Sequence, residues 1–483
     1  MKDLYILLPI CFPFLAAIII ILAKFNEKRR NIFAGSAVVL NFIFVLSLFC
    51  YFSEGKLHLL KINEFLDLYF KIDKLSIFFG SIVSVLWIFT TIYSMEYMKH
   101  EGKEDRFFAY FLATLGITLG IAFSGNLITL YFFYEFLTLA TFPLVIHNGS
   151  KEALESGKKY LVYSFVGATL ALLGMIVLFS ITNSLTFMPK GIFNANSNLN
   201  ISLISLSYLA LFIGFGVKAA LVPFHSWLPQ AMVAPTPVSS LLHAVAVVKS
   251  GVFALTRTTY YIFGAEIVRK THSTRYLVVL IVISILMGSF LALHQQNLKK
   301  RLAYSTVSQL GYILLGIVLL NENSFVGSML HLINHAVIKI TLFFCVGAIM
   351  YTTGKTEIGQ IKGIGKQMPI TMWCFAISSV SLIGIPPTNG FVSKWFLAQG
   401  ALVEGKIAFP AILLLSALLT AMYLLPVVTA AFFKKGDNVI SLNKEAPKKM
   451  LIPIVCITVI TVLLGLLPNY VLIFVQEIAS ELM

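Results

Sequence analysis

Five cations lie inside apolar runs of this chain: Lys218, Lys249, Arg257, Lys339 and Lys394. A single anion, Glu135, lies among comparable runs. A Lys at a bilayer centre costs roughly 2.5–3.5 kcal/mol on insertion scales. A chain that only had to span a membrane would not carry several. One Glu cannot neutralise four or five cations, so some of the lysines must reach water or be neutral part of the time. A buried Lys can fall to a pKa of about 5–6, where it takes up and releases protons near neutral pH. Histidine, with an unperturbed pKa of ~6.5, is suited to pass those protons on. His331, His335 and Lys339 are spaced i, i+4, i+8 and share one helical face. His243 precedes Lys249 by six residues, close to two helical turns, so these two can also share a face. The chemistry that fits is proton transfer along a row of titratable groups.

Each residue also has a plainer reading. Glu135, within Tyr131-Phe132-Phe133-Tyr134-Glu135, is either a counter-ion for a Lys or a protonated carboxyl hydrogen-bonded between helices. Lys218 is close enough to the end of its run to snorkel. Arg257 lies near the end of its run and reads as a boundary residue. Two histidines on one face could hold a metal, but no acid, Cys or HExxH pattern accompanies them, so no metal is expected. The five cysteines are scattered without a CxxC pair, and no GxGxxG or Walker string occurs. No cofactor, redox centre or catalytic residue is expected in this chain.

The elements that must position these groups are membrane helices. The 483 residues are 58% hydrophobic and 12% charged, with a mean hydropathy of +0.89. Apolar runs of about 20 residues recur throughout, each long enough to cross ~30 Å of hydrocarbon. Fourteen spans are predicted, at about 4–23, 31–53, 74–95, 107–124, 127–147, 159–182, 201–222, 236–262, 276–293, 302–320, 325–352, 370–403, 407–433 and 450–473. The first lacks a basic leader and a cleavage site and reads as a retained helix. Residues 1–483 read as one integral membrane domain: helices one to three over 1–106, a first repeat over 107–262, a second over 276–433, and a last helix over 450–473.

The alternate loops holding Lys24–Arg30, Lys99–Arg106, Lys151–Lys159, Lys299–Arg301, Lys355–Lys366 and Lys434–Lys449 carry 21 basic residues, against 10 on the other side. By the positive-inside rule the basic side is cytoplasmic, which places both termini outside a cell (inner) membrane. The net charge of +15 is thereby explained by topology, and no nucleic-acid partner is expected.

Two spans carry breakers. Span twelve contains Gly384-Ile385-Pro386-Pro387-Thr388-Asn389-Gly390, and consecutive prolines cannot continue an α-helix. Span seven is expected to be interrupted at Gly214-Phe215-Gly216 before Pro223-Phe224-His225-Ser226-Trp227-Leu228-Pro229. Broken helices at matching places in two halves point to a transporter built from repeats. An offset of five spans makes the second repeat inverted.

The strings Lys218–Pro229, Ala234-Pro235-Thr236-Pro237, Arg301–Ser305, Ser308–Tyr312, Asn334–Lys339 and Gly384–Lys394 resemble antiporter-like subunits. These are found in respiratory complex I, Mrp-type Na⁺/H⁺ antiporters and membrane-bound energy-converting hydrogenases. The resemblance covers roughly residues 70–430. It implies a fourteen-helix all-α fold with two inverted five-helix repeats and broken helices seven and twelve. It further implies a Glu135–Lys218 pair, a central Lys249 assisted by His243, a Lys339/His335 relay, and Lys394 on the second broken helix. Protons would cross two half-channels joined at mid-membrane, with toggling of the Glu135–Lys218 pair pushing them along. Partners would be other membrane subunits, with H⁺ and, as a second candidate, Na⁺ as the moving ion.

Lys at position 394, and a chain that stops soon after span fourteen, lean toward the D-type member of the Mrp antiporters and the related hydrogenase subunit. A proton-pumping subunit of NADH:quinone oxidoreductase is the alternative. A stand-alone secondary cation/proton transporter is an alternative of another class, although a Na⁺ site would usually carry more carboxylates. A quinone oxidoreductase would need a redox centre or quinone pocket that the sequence does not display.

Overall fold

A computed structural model describes residues 2–50, 56–63, 67–193, 200–434 and 445–483. Lys435 and Lys444 of the last basic loop lie outside the described residues, as do residues 51–53 of span two.

The chain is a helical bundle with one small hairpin. Its helices begin with α1 (Leu8–Ala23), α2 (Glu27–Cys50), α3 (Lys74–Tyr97), α4 (Glu104–Ala122), α5 (Leu127–Val145), α6 (Lys151–Thr182) and α7 (Ile201–Lys218). Then come α8 (Trp227–Gln230), α9 (Thr236–Ala244), α10 (Val247–Arg257), α11 (Ala265–Thr271), α12 (Thr274–His294), α13 (Leu298–Val318) and α14 (Glu322–Thr353). The last five are α15 (Pro369–Ile383), α16 (Asn389–Val403), α17 (Ala408–Phe433), α18 (Lys448–Leu466) and α19 (Asn469–Leu482). An antiparallel hairpin, β1 (Lys56–Lys61) and β2 (Asp67–Lys71), lies before α3.

Among the described residues, twelve helical segments are long and apolar enough to cross a membrane. α15 is shorter and apolar, and α13 is not among the twelve. α13 carries Ser305, Thr306, Ser308 and Gln309 facing inward, all buried. A hydropathy criterion loses a helix whose polar residues face protein rather than lipid. α14 is also nearly enclosed, whereas α1, α2, α12 and α18 expose rows of large apolar residues to their surroundings.

The turns sort into two ends. At one end Arg30 pairs with Glu104 and Asp105, and Lys99 with Glu27. There His147 meets the Gly102 carbonyl at 2.9 Å, and Asn297 bridges to Glu357. This is the basic end. At the other end Asn126 bridges to Thr186, Arg269 pairs with Glu404, and Lys74 pairs with Glu477 and Glu481.

Three expectations change. First, α7 runs unbroken through Gly214 and Gly216. The two glycines do not break the helix. A Cβ on Gly214 would fall 2.6 Å from the Ala171 nitrogen and 2.7 Å from the Gly167 carbonyl, so it lets α7 pack backbone-to-backbone on α6. The interruption comes at 219–226. Ala220 takes φ 55°, and Leu221 and Ala220 return their N–H groups to the carbonyls of Gly216 and Val217. That is a Schellman-type stop. Pro223, with no donor, then blocks resumption.

Second, span eight is two helices. Val245 and Ala246 both donate to the Leu241 carbonyl and leave helical geometry between α9 and α10. The run Val245-Ala246-Val247-Val248 is rich in β-branched residues, which hold a helix weakly. Third, the last span ends at Leu466. Pro468 restarts the chain as α19, which packs on α14.

Candidate functional site

The helix interruptions bring the charged side chains together. Lys218 ends α7 and is 1% exposed. Its ammonium sits over the Tyr134 ring of α5, 3.4 Å from the centroid, and donates to the Tyr134 carbonyl. It does not snorkel. Glu135 is the neighbouring residue, yet no ion pair joins it to Lys218 among the described residues. Its Oε1 is shielded and makes no hydrogen bond among the described residues. The expected pair is therefore open in this conformation, with Lys218 held one residue away by a carbonyl and an aromatic face.

α10 packs directly on this corner. A Cβ on Gly251 would lie 2.7 Å from the Ala219 nitrogen, so only glycine lets the two backbones meet. Lys249, two residues earlier, is 1% exposed and bonds through Nζ to His335 Nδ1 at 2.6 Å. Six-residue spacing was expected to place His243 beside Lys249 on one helical face. The irregular turn at 245–246 separates them, so helical spacing no longer relates the two. His243 packs its ring on Phe343 of α14 instead, at 5.0 Å.

α14 carries the row onward. His331, His335 and Lys339 are all buried on its inner face. The His331 and His335 rings are 6.2 Å apart. His331 bonds to Gln309 through Nε2 at 3.0 Å and to Ser393 through Nδ1 at 2.9 Å. Lys339 donates to the Leu302 carbonyl at 3.0 Å and to Ser305 at 2.7 Å, and Ser305 continues to Tyr423 at 2.8 Å.

Lys394 follows Ser393 on α16. It donates to the carbonyls of Leu382 and Ile383 at 2.7 and 2.8 Å. These are the free carbonyls that end α15, where the helix dipole also favours a cation. The break at Gly384–Thr388, which holds Pro386 and Pro387, is anchored from α14: Asn334 donates to the Asn389 carbonyl at 2.8 Å, and Asn389 returns a bond of 3.2 Å.

Several participants were not predicted. Arg257 has a carboxylate partner, Asp73, far away in sequence, at 2.5 and 2.8 Å. Lys299 and Arg301, counted as loop cations, are 5% and 4% exposed. Lys299 donates to the Ala234 carbonyl at 2.6 Å, and Arg301 to three carbonyls, including Tyr423 at 2.6 Å. Ser305, Gln309, Ser393 and Tyr423 supply hydroxyl and amide links. The sequence signal for the first two was present, as polar residues at i, i+4 on α13.

Among the described residues no group of three or more His, Cys, Asp or Glu could hold a metal. What the arrangement can do is pass a proton between nitrogen and oxygen atoms at hydrogen-bond distance. His335 Nε2 and Gln309 Nε2 are buried along the same row without a hydrogen-bond partner among the described residues. Buried polar atoms of this kind are ordinarily completed by ordered water.

Comparison with known proteins agrees with this architecture. The chain is 32% identical over 80% of its length to NADH-quinone oxidoreductase subunit N of Desulforudis audaxviator, covering 79% of that protein. It is 27% identical over 99% of its length to the D-type member of the Na(+)/H(+) antiporter of Bacillus subtilis, covering 97% of it. It is 31% identical to Na(+)/H(+) antiporter subunit A1 of Staphylococcus haemolyticus, over 96% of this chain but only 60% of that longer protein.

Two solved structures share the fold, each with a TM-score of 0.88. One is a chain of the Mrp complex from Dietzia sp., at 21% identity over 100% of this chain and 97% of that one. The other is a chain of an archaeal membrane-bound sulfane sulfur reductase, at 22% identity over 98% of this chain and 97% of that one. Residues 61–108 match the family described as NADH-ubiquinone oxidoreductase (complex I), chain 5 N-terminus. Residues 124–420 match the one described as NADH:quinone oxidoreductase/Mrp antiporter, TM, and the chain belongs to that antiporter-like membrane subunit family.

Proposed function

We propose that this chain is a proton-translocating subunit of a multisubunit membrane complex. The observation that carries the reading is the Lys249–His335 bond of 2.6 Å at the centre of a buried row. The row runs from Lys218 at one broken helix to Lys394 at the other. An acid, four lysines and three histidines lie along or beside it. Proton transfer needs such groups at hydrogen-bond distance.

The open Glu135–Lys218 pair supports a switch. Lys218 either rests on the Tyr134 carbonyl, as here, or reaches Glu135. With the pair closed, the charge of Lys218 is compensated; with it open, its field acts on Lys249 and disfavours a proton there. Each charge moved across 100 mV requires ~2.3 kcal/mol, so an ion gradient or partner subunits must drive the cycle.

The surface supports partner subunits. Ile385, Pro386 and Pro387 at the break, with Trp395 beside it, are exposed on the side of the bundle between α15 and α16. Irregular backbone at membrane depth is tolerated where protein or a wet cavity covers it. Full-length coverage of a D-type antiporter chain favours the Mrp class, with Na⁺ as the second ion. The 32% identity to a subunit N keeps a complex I-type role as the second reading. In either case the basic end faces the cytoplasm of a cell membrane and both termini lie outside. The third helix of each five-helix set, α6 and α14, has 32 residues, and the fourth is interrupted, which supports an inverted repeat over 107–262 and 276–433.

The test is proton movement in vesicles holding the whole complex. Lys218→Ala and Glu135→Ala are each expected to abolish it, and pumping intact in either variant would sink the proposed path.

A further inference from the structure

The row has two directions in which a proton could leave it, and only one is built like a path. On α14 the polar face continues past His331 away from the basic end. Ser328, Ser324 and Asn321 follow at spacings of three, four and three. Ser328 bonds to the Ile313 carbonyl at 2.8 Å, and Asn321 to the Gly400 carbonyl at 2.9 Å. Asn321 then lines a cavity of about 430 Å³ with Glu322, Glu266 and Arg269. On α10 the corresponding direction is closed. Lys249, Phe253 and Arg257 follow i, i+4, i+8 on one face. Phe253, between the two cations on that face, stacks on Phe79 at 4.6 Å.

Beyond that stack sits the Arg257 guanidinium, 1% exposed. Asp73 grips it through both oxygens and Ser76 through its hydroxyl at 2.7 Å. Asp73 is itself fixed as the N-cap of α3. Phe253, Tyr261 and Phe187 ring the guanidinium at 5.1, 4.3 and 5.2 Å. Phe187 comes from the segment between α6 and α7, which is pinned on both sides. Leu127 and Phe187 bond to Leu185 and Gly125 there, and Met188 and Ile192 to the carbonyls of Tyr261 and Ile262. The carboxylate lies at the α3 terminus, so the guanidinium is the part of the pair that the row meets.

We infer that the Arg257–Asp73 pair is an electrostatic seal. A guanidinium that cannot be deprotonated closes the end of repeat one opposite the basic turns, so that protons held at Lys249 do not leak out there and must travel through α14. Arginine suits this role because it stays charged where a lysine would exchange its proton. A proton approaching from the row meets the guanidinium in its aromatic collar. Eight residues of helix separate Lys249 from Arg257, about 12 Å. At an effective dielectric of about 20 an unpaired charge at that distance would change an equilibrium by about tenfold; the Asp73 carboxylate behind the guanidinium cancels part of this, leaving a few-fold effect that grows as the proton comes closer.

The inference rests on the proton row proposed above. It is tested with vesicles holding the whole complex, without an energy source, across an imposed pH gradient read by an entrapped dye. Arg257→Gln is expected to raise passive proton leak several-fold, toward about tenfold. Arg257→Lys keeps a cation and is expected to leak less than the Gln variant. A double replacement, Arg257→Met with Asp73→Leu, keeps the volume apolar, and such exchanges of buried pairs are often neutral for stability. It is expected to leak like Arg257→Gln. Adding Lys249→Ala to either is expected to return the leak to the wild-type rate.

Wild-type leak in an assembled Arg257→Gln or in the double variant would overturn the seal. So would a leak that persists without Lys249, since it would mark a damaged bilayer seam. Failure of the underlying row has a separate signature: driven pumping that survives Lys249→Ala.

Discussion

At the scale of single residues, the proposed row requires side chains that exchange protons, and positive charge as such is not enough. Lys249 illustrates the difference. Lys249→Ala removes the group and is expected to reduce proton transport by roughly 10²-fold or more, the usual worth of a positioned acid–base group. Lys249→Arg keeps charge and length, yet a guanidinium does not release its proton. It is expected to be as inactive as the alanine variant while the complex assembles normally; transport near wild-type in Lys249→Arg would show that only charge matters. Ser393 makes a weaker demand. Its hydroxyl connects His331 to the start of α16 at 2.9 Å, and a water molecule could replace it. Ser393→Ala should therefore slow transport several-fold less than His331→Ala, measured in the same vesicles.

At the scale of elements, positions are set by where helices stop and how closely they pack. Gly251 has no side chain because the Ala219 backbone occupies that place. Gly251→Leu is expected to push α10 from α7, at about 1–3 kcal/mol for overpacking, and to lower the thermal midpoint of the purified complex. An unchanged midpoint would mean the two helices are not locked together.

The turn at the basic end carries a pH dependence. Burial lowers the pKa of the His147 imidazole, the Gly102 carbonyl partly offsets this, and Arg106 and Lys103 lower it further. The folded chain thus binds this proton less tightly than the unfolded chain, whose value is ~6.5. Stability is fully present above that value and is lost as pH falls from it toward the folded value. His147→Gln should flatten the fall of the thermal midpoint on acidification below about pH 6.5. An identical pH profile in the variant would remove His147 from the account.

At the scale of the whole molecule, the two ends of the bundle differ in charge and the two halves differ in closure. The turns carrying Lys99–Arg106, Lys151–Lys159, Lys299–Arg301 and Lys355–Lys366 alternate with poorly basic ones, and the proposed orientation, with these turns cytoplasmic, rests on the positive-inside rule. In a background freed of native cysteines, Lys190→Cys is expected to react with an impermeant maleimide from outside intact cells. Lys362→Cys should react only after the membrane is opened. The reverse pattern would invert the bundle and, with it, the side on which Arg257 lies.

Much of this protein was legible in its residues. Insertion cost marked Lys218, Lys249, Lys339 and Lys394, and the structure gives each of these ammonium groups a hydrogen-bond partner inside the bundle. Helical period placed His331, His335 and Lys339 on one face, since one uninterrupted helix, α14, carries all three. The prolines marked the break in span twelve. Where the expectations failed, a backbone decision was made by packing. Gly214 and Gly216 promised a break in α7, but the helix runs through both and Gly214 serves close contact with α6, while an aliphatic stretch at 245–246 lost its helix and parted His243 from Lys249.

Partners far apart in the chain were not legible at all. Asp73 meets Arg257 across 184 positions, and Lys249 meets His335 across 86. Sequence alone determined which charged side chains lie in apolar helices and that the chain is an all-α membrane protein. Only the tertiary structure decided which of them touch, because hydrogen bonds between helices depend on where each helix ends and on the distance at which neighbours pack.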